Sequence, residues 1–121
     1  MRFNKDHVWV ELDGSTATVG LSAFAGETLG DVLEVTLPAA GVQLKAGEPM
    51  ASVEAVERPF ALAAPIDGRV IEANDDLNDE PELFGTSPEK LAWIVRLAAA
   101  DPKQVEALMD RDAYEAYLDS L

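Results

Sequence analysis

The segment SVEAVERPFALAAP, residues 52–65, decides the fold, because two apolar, alternating arms flank a short polar turn. Its two arms, residues 50–56 and 60–65, have the period of two that is typical of β-strands. The turn Val56-Glu57-Arg58-Pro59 joins them and includes a proline, a residue favoured in turns. The sequence therefore predicts a β-hairpin that presents the carboxylate of Glu57 to solvent.

Further short strands are predicted on both sides of this hairpin. They alternate or are rich in β-branched residues, and they cover residues 7–12, 16–21, 31–38, 69–74 and 91–97. Turn signals such as Asp13-Gly14 and Asp67-Gly68 separate them. Many short strands with frequent turns favour a small β-sandwich or barrel, and a chain of 121 residues is enough for one domain, residues 1–121.

Three helical segments are also predicted. Ser22 is a suitable N-cap for a short helix over residues 22–30, which ends at a glycine. Near the carboxyl end, Asp101-Pro102 begins one helix and Asp110 begins a second. The acidic segment 75–90 contains two prolines and predicts an ordered loop or a helical turn.

The charge balance restricts the possible partners. There are 23 Asp and Glu against 9 Lys and Arg, a formal net charge of −14, and such a surface repels phosphate backbones. We therefore expect protein partners with basic patches and no nucleic acid. The apolar runs are too short to span a bilayer, and no signal-peptide pattern opens the chain, so we expect a cytoplasmic protein without membrane association.

No constellation of residues predicts an enzyme or a metal site. His7 is the only histidine, and without selected catalytic partners it is predicted to be a structural residue of the first strand. The acidic residues 72–82 lack the spacing of a calcium loop. Cysteine is absent, which excludes a thiol nucleophile. Trp9 and Trp93 fall in strand patterns and are predicted to be core residues.

The ordered motifs resemble the H protein of the glycine cleavage system. They occur in that family's order and read HVWVEL, TATVGLSAFAGETLGDVLEVTLP, AGEPMASVEAVE, APIDGRVIEAN, PELF and DPKQVEALMDRDAYEAYL. The resemblance implies a mainly β, lipoyl-domain-like barrel-sandwich hybrid with a short internal helix and C-terminal helices. It also implies a carrier rather than an enzyme. In that family a hairpin lysine carries lipoate between a pyridoxal-phosphate glycine decarboxylase, an aminomethyltransferase and a dihydrolipoyl dehydrogenase.

The resemblance also assigns roles to positions of this chain. The family's tip pattern E-S-V-K-A aligns with residues 54–58, so the lipoyl-lysine position is Glu57 and no lipoate is expected there. Glu54 and Gly68 match the positions that lipoate-attaching enzymes recognise. Three further positions correspond to the cleft that receives the loaded arm, and here they are Val8, Phe24 and Ala61.

These departures favour an H-like protein that is not lipoylated and that acts as an adaptor or binding module. Its partners would be glycine-cleavage or lipoate-handling enzymes. One alternative is a working carrier of lipoate or another acyl group, modified at another lysine such as Lys45 or Lys90. The other alternative is a ligand-binding protein that uses this cleft, which Val8, Phe24 and Ala61 would make more apolar than in the family.

Overall fold

The computed structural model describes all residues from 1 to 121, and it contains two antiparallel β-sheets with five short helices. The strands are β1 (Arg2–Phe3), β2 (Val8–Asp13), β3 (Thr16–Leu21), β4 (Val32–Thr36), β5 (Gln43–Leu44), β6 (Pro49–Ala55), β7 (Phe60–Ala63), β8 (Gly68–Ala73) and β9 (Trp93–Ala99). The helices are α1 (Ala23–Leu29), α2 (Asp76–Asp79), α3 (Leu83–Thr86), α4 (Lys103–Glu106) and α5 (Arg111–Asp119).

The larger sheet has the strand order β1-β2-β3-β9-β8-β5, and the smaller sheet has the order β4-β6-β7. Every neighbouring pair is antiparallel. The predicted hairpin over residues 50–65 is therefore the β6–β7 pair of the smaller sheet. The prediction of a mainly β fold with a short internal helix and C-terminal helices is confirmed.

The main core lies between the two sheets. Val10, Val19 and Leu97 of the larger sheet belong to the same buried cluster as Val35 and Val53 of the smaller sheet. Burying each such side chain contributes roughly 1.5–3 kcal/mol relative to leaving it exposed. Because Val35 and Val53 face each other across β4 and β6, the core fixes the register of the strand that leads to the hairpin tip.

A second, aromatic cluster lies under α5. Phe3, Trp9 and Tyr114 are buried together, and the Phe3 and Tyr114 rings stack with their centroids 4.3 Å apart. The N-cap of α5 is Asp110, as predicted, since its Oδ1 accepts a hydrogen bond from the Ala113 amide at 2.8 Å. This cluster attaches the carboxyl-terminal helix to β1 and β2.

Helix α1 has the predicted N-cap and packs closely on α3. The Ala25 amide donates to Ser22 Oγ at 3.3 Å. At Gly26, an added Cβ would lie 2.5 Å from the carbonyl oxygen of Phe84, so only glycine allows this approach of the two helices. The contact holds α1 in place and so fixes the position of its carboxyl end, where the hairpin tip lies.

The structure corrects the prediction for His7. It precedes β2 in a turn with φ of 66°, rather than forming part of the strand, which begins at Val8. Its carbonyl oxygen accepts a hydrogen bond from the Ser22 amide at 2.8 Å. A turn is needed here because the chain reverses direction between the antiparallel strands β1 and β2. The alternating pattern of residues 7–12 does not indicate at which residue the turn ends and the strand begins.

Other local predictions hold with adjustments. Trp9 is buried as predicted, whereas Trp93 is half-buried and its ring lies 4.0 Å from the Arg96 guanidinium carbon. The segment 75–90 contains the helical turns α2 and α3. None of the helices has the length and apolar character required to cross a bilayer.

Candidate functional site

The β6–β7 hairpin places residues 56–59 at a solvent-exposed tip. Its arms are held by register pairs that include Val53 with Phe60 and Ala51 with Leu62. Val53 and Leu62 are buried, so the arms are anchored in the core. The four tip residues are all exposed. The hairpin and the display of Glu57 therefore agree with the prediction from the sequence.

The tip is attached to the end of α1. The Val56 amide donates to the Asp31 carbonyl at 2.9 Å, and the Glu57 amide donates to the Leu29 carbonyl at 3.4 Å. Gly30 has φ of 69°, and a Cβ added to it would lie 3.1 Å from Glu57 Cγ. The aliphatic part of Glu57 thus lies against the Gly30 backbone, and residue 57 has a fixed base rather than a freely moving one.

The carboxylate of Glu57 has no cationic partner within the chain. The three ion pairs of the structure join the amino terminus to Glu11, Arg96 to Glu72, and Arg111 to Glu89. The tip therefore displays an unpaired negative charge at the carboxyl end of α1, the end that helix dipoles make unfavourable for anions.

Glu54 and Gly68 lie in different parts of the fold. Glu54 is exposed on β6, close to the tip. Gly68 begins β8 and pairs with Leu44. It lies at the opposite end of β6 from Glu57. At roughly 3.3 Å per residue, the length of β6 makes the separation of Gly68 from Glu57 about 20 Å. A Cβ on Gly68 would lie 2.8 Å from the Ala98 carbonyl oxygen, so packing between β8 and β9 requires a glycine. The recognition roles of both positions stay predictions.

The three positions assigned to a cleft do not line a common cavity. Val8 is only 1% exposed and belongs to the main core. Phe24 is half-buried on α1, with its ring centroid 4.7 Å from that of His7. Ala61 is exposed on β7 opposite Ser52. None of these residues lines any of the three cavities of the structure, so no cavity supports the ligand-binding alternative at these positions.

An acidic groove close to the tip was not predicted. It has a volume of about 340 Å³, lies between the α1–β4 connection and α3, and is lined by Gly30, Asp31, Val32, Pro81, Glu82, Gly85 and Thr86. The sequence predicted an ordered loop or a helical turn for the segment 75–90, and nothing local indicated that Glu82 and Asp31 line the same groove. Gly30 therefore contacts Glu57 and also borders this groove.

A partly buried chain of polar groups was also missed. Tyr114 Oη lies 2.8 Å from His7 Nδ1 and 2.7 Å from Ser22 Oγ. Burial lowers the pKa of His7 below its ordinary value of 6.5, nearby Asp6 raises it, and Arg58 at the hairpin tip lowers it. Burial raises the pKa of Tyr114. Residues 7, 22 and 114 are far apart in the sequence, so no local pattern could have joined them.

The chain matches the glycine cleavage H-protein family over residues 1–121. The chain belongs to this family. It is 48% identical over 121 residues to the glycine cleavage system H protein of Caulobacter vibrioides, with all of both chains covered. It is 41% identical over 115 residues to the one of Bacillus subtilis, with 95% of this chain and 91% of that protein covered.

The fold agrees with a solved member of the family. The crystal structure of a glycine cleavage system H protein from Mycobacterium marinum superposes with a TM-score of 0.85 at 29% identity, covering 98% of this chain and 95% of that one. The predicted resemblance and fold are thereby confirmed. The H protein is a carrier component and not an enzyme, so family membership also confirms that this chain is not itself an enzyme.

Proposed function

We propose that this chain takes the H-protein position in a glycine-cleavage-type assembly and acts there by docking onto partner enzymes, without lipoate on residue 57. The observation that carries the proposal is the exposed carboxylate of Glu57 at the hairpin tip. The resemblance implies that this position holds the lipoyl-lysine in other family members. The expected compartment of such an adaptor is the cytoplasm.

The chemistry of attachment argues against lipoate at this position. An amide forms when an amine nitrogen attacks an activated lipoyl carbonyl, the leaving group departs, and the nitrogen loses a proton. A carboxylate offers no nitrogen, so Glu57 does not fit the group. The adjacent Arg58 is no substitute, because a guanidinium group is a poor nucleophile.

The lysines of the chain lie outside the hairpin. They are Lys5 before β2, Lys45 before β6, Lys90 after α3 and Lys103 in α4. Lys45 precedes the start of β6 while the tip follows its end, which separates them by more than about 20 Å along the strand. An arm on Lys45 would therefore start from the opposite end of the hairpin.

The surroundings of the tip support a docking role. The hairpin has buried register pairs, its tip is hydrogen-bonded to the end of α1, and Glu54 is exposed beside it. Protein partners of the expected class are a glycine decarboxylase, an aminomethyltransferase, a dihydrolipoyl dehydrogenase and lipoate-attaching enzymes. The net charge of −14 favours enzymes with basic docking patches.

A second candidate is a working carrier that is modified on another lysine. Its support comes from the relatives, which are named as H proteins of the glycine cleavage system and match nearly the whole chain. These names favour a carrier over an adaptor, whereas the residue at position 57 favours an adaptor. The two candidates differ in one measurable property, the presence of a covalent adduct.

Intact mass spectrometry after co-expression with a lipoate ligase and excess lipoate distinguishes them. An unmodified mass supports the adaptor, and an adduct that peptide mapping assigns to Lys5, Lys45, Lys90 or Lys103 supports the second candidate. The Bacillus subtilis H protein, expressed in the same cells, serves as the positive control. A Glu57→Lys variant is the matched control within the chain, and an adduct on its residue 57 would show that the ligase still recognises this scaffold.

A further inference from the structure

We propose that the solvent face of β4 and β6 beside the tip, formed by Leu33, Glu34, Glu54 and Val56, is the docking surface of this protein. We call these four residues the outer hairpin face. Its partner is a protein whose docking surface has an apolar patch flanked by lysine or arginine side chains. The inference rests on the proposed function, because it names the surface through which an H-like adaptor would bind.

The centre of this face is apolar and uncovered. The exposed fractions of Leu33 and Val56 are 67% and 61%, among the highest of the large hydrophobic side chains. Leu33 lies in β4 and Val56 directly follows the adjacent strand β6, since Val32 pairs with Ala55 and the Val56 amide donates to the Asp31 carbonyl. Exposed apolar surface with a polar rim is typical of protein-interaction sites.

A β-bulge brings the four side chains to one face. The register of β4 against β6 shifts between Val32 and Glu34, so Leu33 and Glu34 both lie opposite Glu54. Side chains two residues apart share a face of a strand, which places Val56 beside Glu54. The next pair away from the tip, Val35 and Val53, points the other way, into the core.

The charges of this face are unfavourable for the isolated chain. Glu34 and Glu54 are paired directly across the strands, and like charges in that position are destabilising. Neither belongs to any of the three ion pairs of the structure. Asp31 and Glu57 add further exposed carboxylates at the tip end. A basic rim on a partner would neutralise this repulsion.

The same charges decide between possible occupants. A second copy of the chain would bring two acidic faces together, and anionic phosphates of nucleic acid or lipid would also be repelled. A protein with a positive rim is attracted, and the attraction would act mainly on the rate of encounter. The apolar centre at Leu33 and Val56 would then slow dissociation once the surfaces meet.

Binding of the purified glycine decarboxylase, aminomethyltransferase, dihydrolipoyl dehydrogenase and lipoate ligase of the source organism tests the proposal. Dissociation constants would be measured by biolayer interferometry at low and high salt. We expect at least one enzyme to bind and its binding to weaken with salt. Two variants, Glu34→Lys/Glu54→Lys and Leu33→Ser/Val56→Ser, should each weaken it tenfold or more.

The matched control is Glu106→Lys/Asp119→Lys, which changes two exposed carboxylates on the C-terminal helices and the net charge by the same amount as the reversal at Glu34 and Glu54. It should bind within about twofold of the parent protein. Equal weakening by this control would show that only net charge matters and would overturn the outer hairpin face.

The remaining outcomes separate the two proposals. Binding by the parent protein that both test variants retain would overturn the docking surface and leave the adaptor role standing. No binding of any enzyme by the parent protein at low salt would overturn the adaptor role itself and this partner class with it. Dimers of the parent protein that Leu33→Ser/Val56→Ser abolishes would show that a second copy covers the face. Circular dichroism checks that each variant is folded.

Discussion

The side chain of Glu57 lies against the backbone of Gly30, at the point where helix α1 ends and the chain turns into β4. The tip residue on which the proposed function rests is therefore also one of the tip's attachments to the fold. Substitutions at the tip should therefore change the free energy of unfolding as well as the chemistry of residue 57.

Replacing Gly30 by alanine should destabilise the protein by about 1–3 kcal/mol, because φ of 69° strains an alanine and its Cβ would press on Glu57 Cγ. The measurement is urea unfolding followed by circular dichroism. Gly14→Ala is the control, since Gly14 has a similar φ of 63° with nothing near its missing Cβ. Equal losses at the two sites would mean that the contact with Glu57 has no energetic consequence.

The Glu57→Lys variant should be more stable than the parent protein by about 0.3–1 kcal/mol at low ionic strength. A cation near the carboxyl end of α1 is favourable where a carboxylate is not. Urea unfolding at low and high salt provides the measurement, and Glu57→Gln should give an intermediate value. A gain that persists undiminished in high salt would contradict an electrostatic origin.

Removing the hydroxyl of Tyr114 should destabilise the protein by about 1–2 kcal/mol. The Tyr114→Phe change keeps the ring that stacks on Phe3 but leaves Ser22 Oγ and His7 Nδ1 without their shared partner. Tyr117→Phe is a matched control, because the Tyr117 hydroxyl makes only a 3.4 Å contact at an exposed position. The prediction fails if the two variants unfold at the same urea concentration.

The lowered pKa of His7 predicts a pH dependence of stability. The unfolded chain binds a proton on His7 near its ordinary pKa of 6.5, and the folded chain binds it only at lower pH. The stability that depends on a neutral His7 is therefore complete above pH 6.5. It is lost as the pH falls from 6.5 through the pKa of His7 in the folded chain. Urea unfolding midpoints between about pH 7.5 and about pH 5.5 measure this loss of stability, because the range lies above most carboxylate pKa values. A His7→Gln variant should show a smaller fall across this range, and an unchanged slope would assign the effect to other groups.

Helix packing gives a paired prediction at two glycines. Gly26→Ala should destabilise by about 1–3 kcal/mol, because its Cβ would meet the Phe84 carbonyl at 2.5 Å. Gly85→Ala should instead be neutral or stabilise by up to about 1 kcal/mol, since Gly85 lies in α3 with open space around it. Thermal unfolding of both variants decides it, and opposite signs are the expected result.

The sequence predicted those features that depend on local physical signals. Ser22 and Asp110 were recognisable as N-caps because a short polar side chain directly before a helical pattern can accept a hydrogen bond from an amide of the first turn. The hairpin at residues 52–65 was recognisable because alternation and a polar turn occur within one short segment.

Features that depend on distant residues were not predictable in this way. The hydrogen bonds of Tyr114 to His7 and Ser22 join three separate parts of the chain, and the turn at His7 is set by the pairing of β1 with β2. The packing reason for Gly68 required the position of Ala98 on a neighbouring strand. Val8 could be placed in the core only once β2 and β3 were paired.

The fastened tip also makes residue 57 a fixed point for physical probes. The chain contains no cysteine, so a Glu57→Cys variant would carry a single thiol at an exposed position. The two backbone hydrogen bonds from Val56 and Glu57 would keep the base of an attached spin label or fluorophore in place. Distances measured from such a label to a bound enzyme would therefore report the geometry of the complex rather than the motion of the loop.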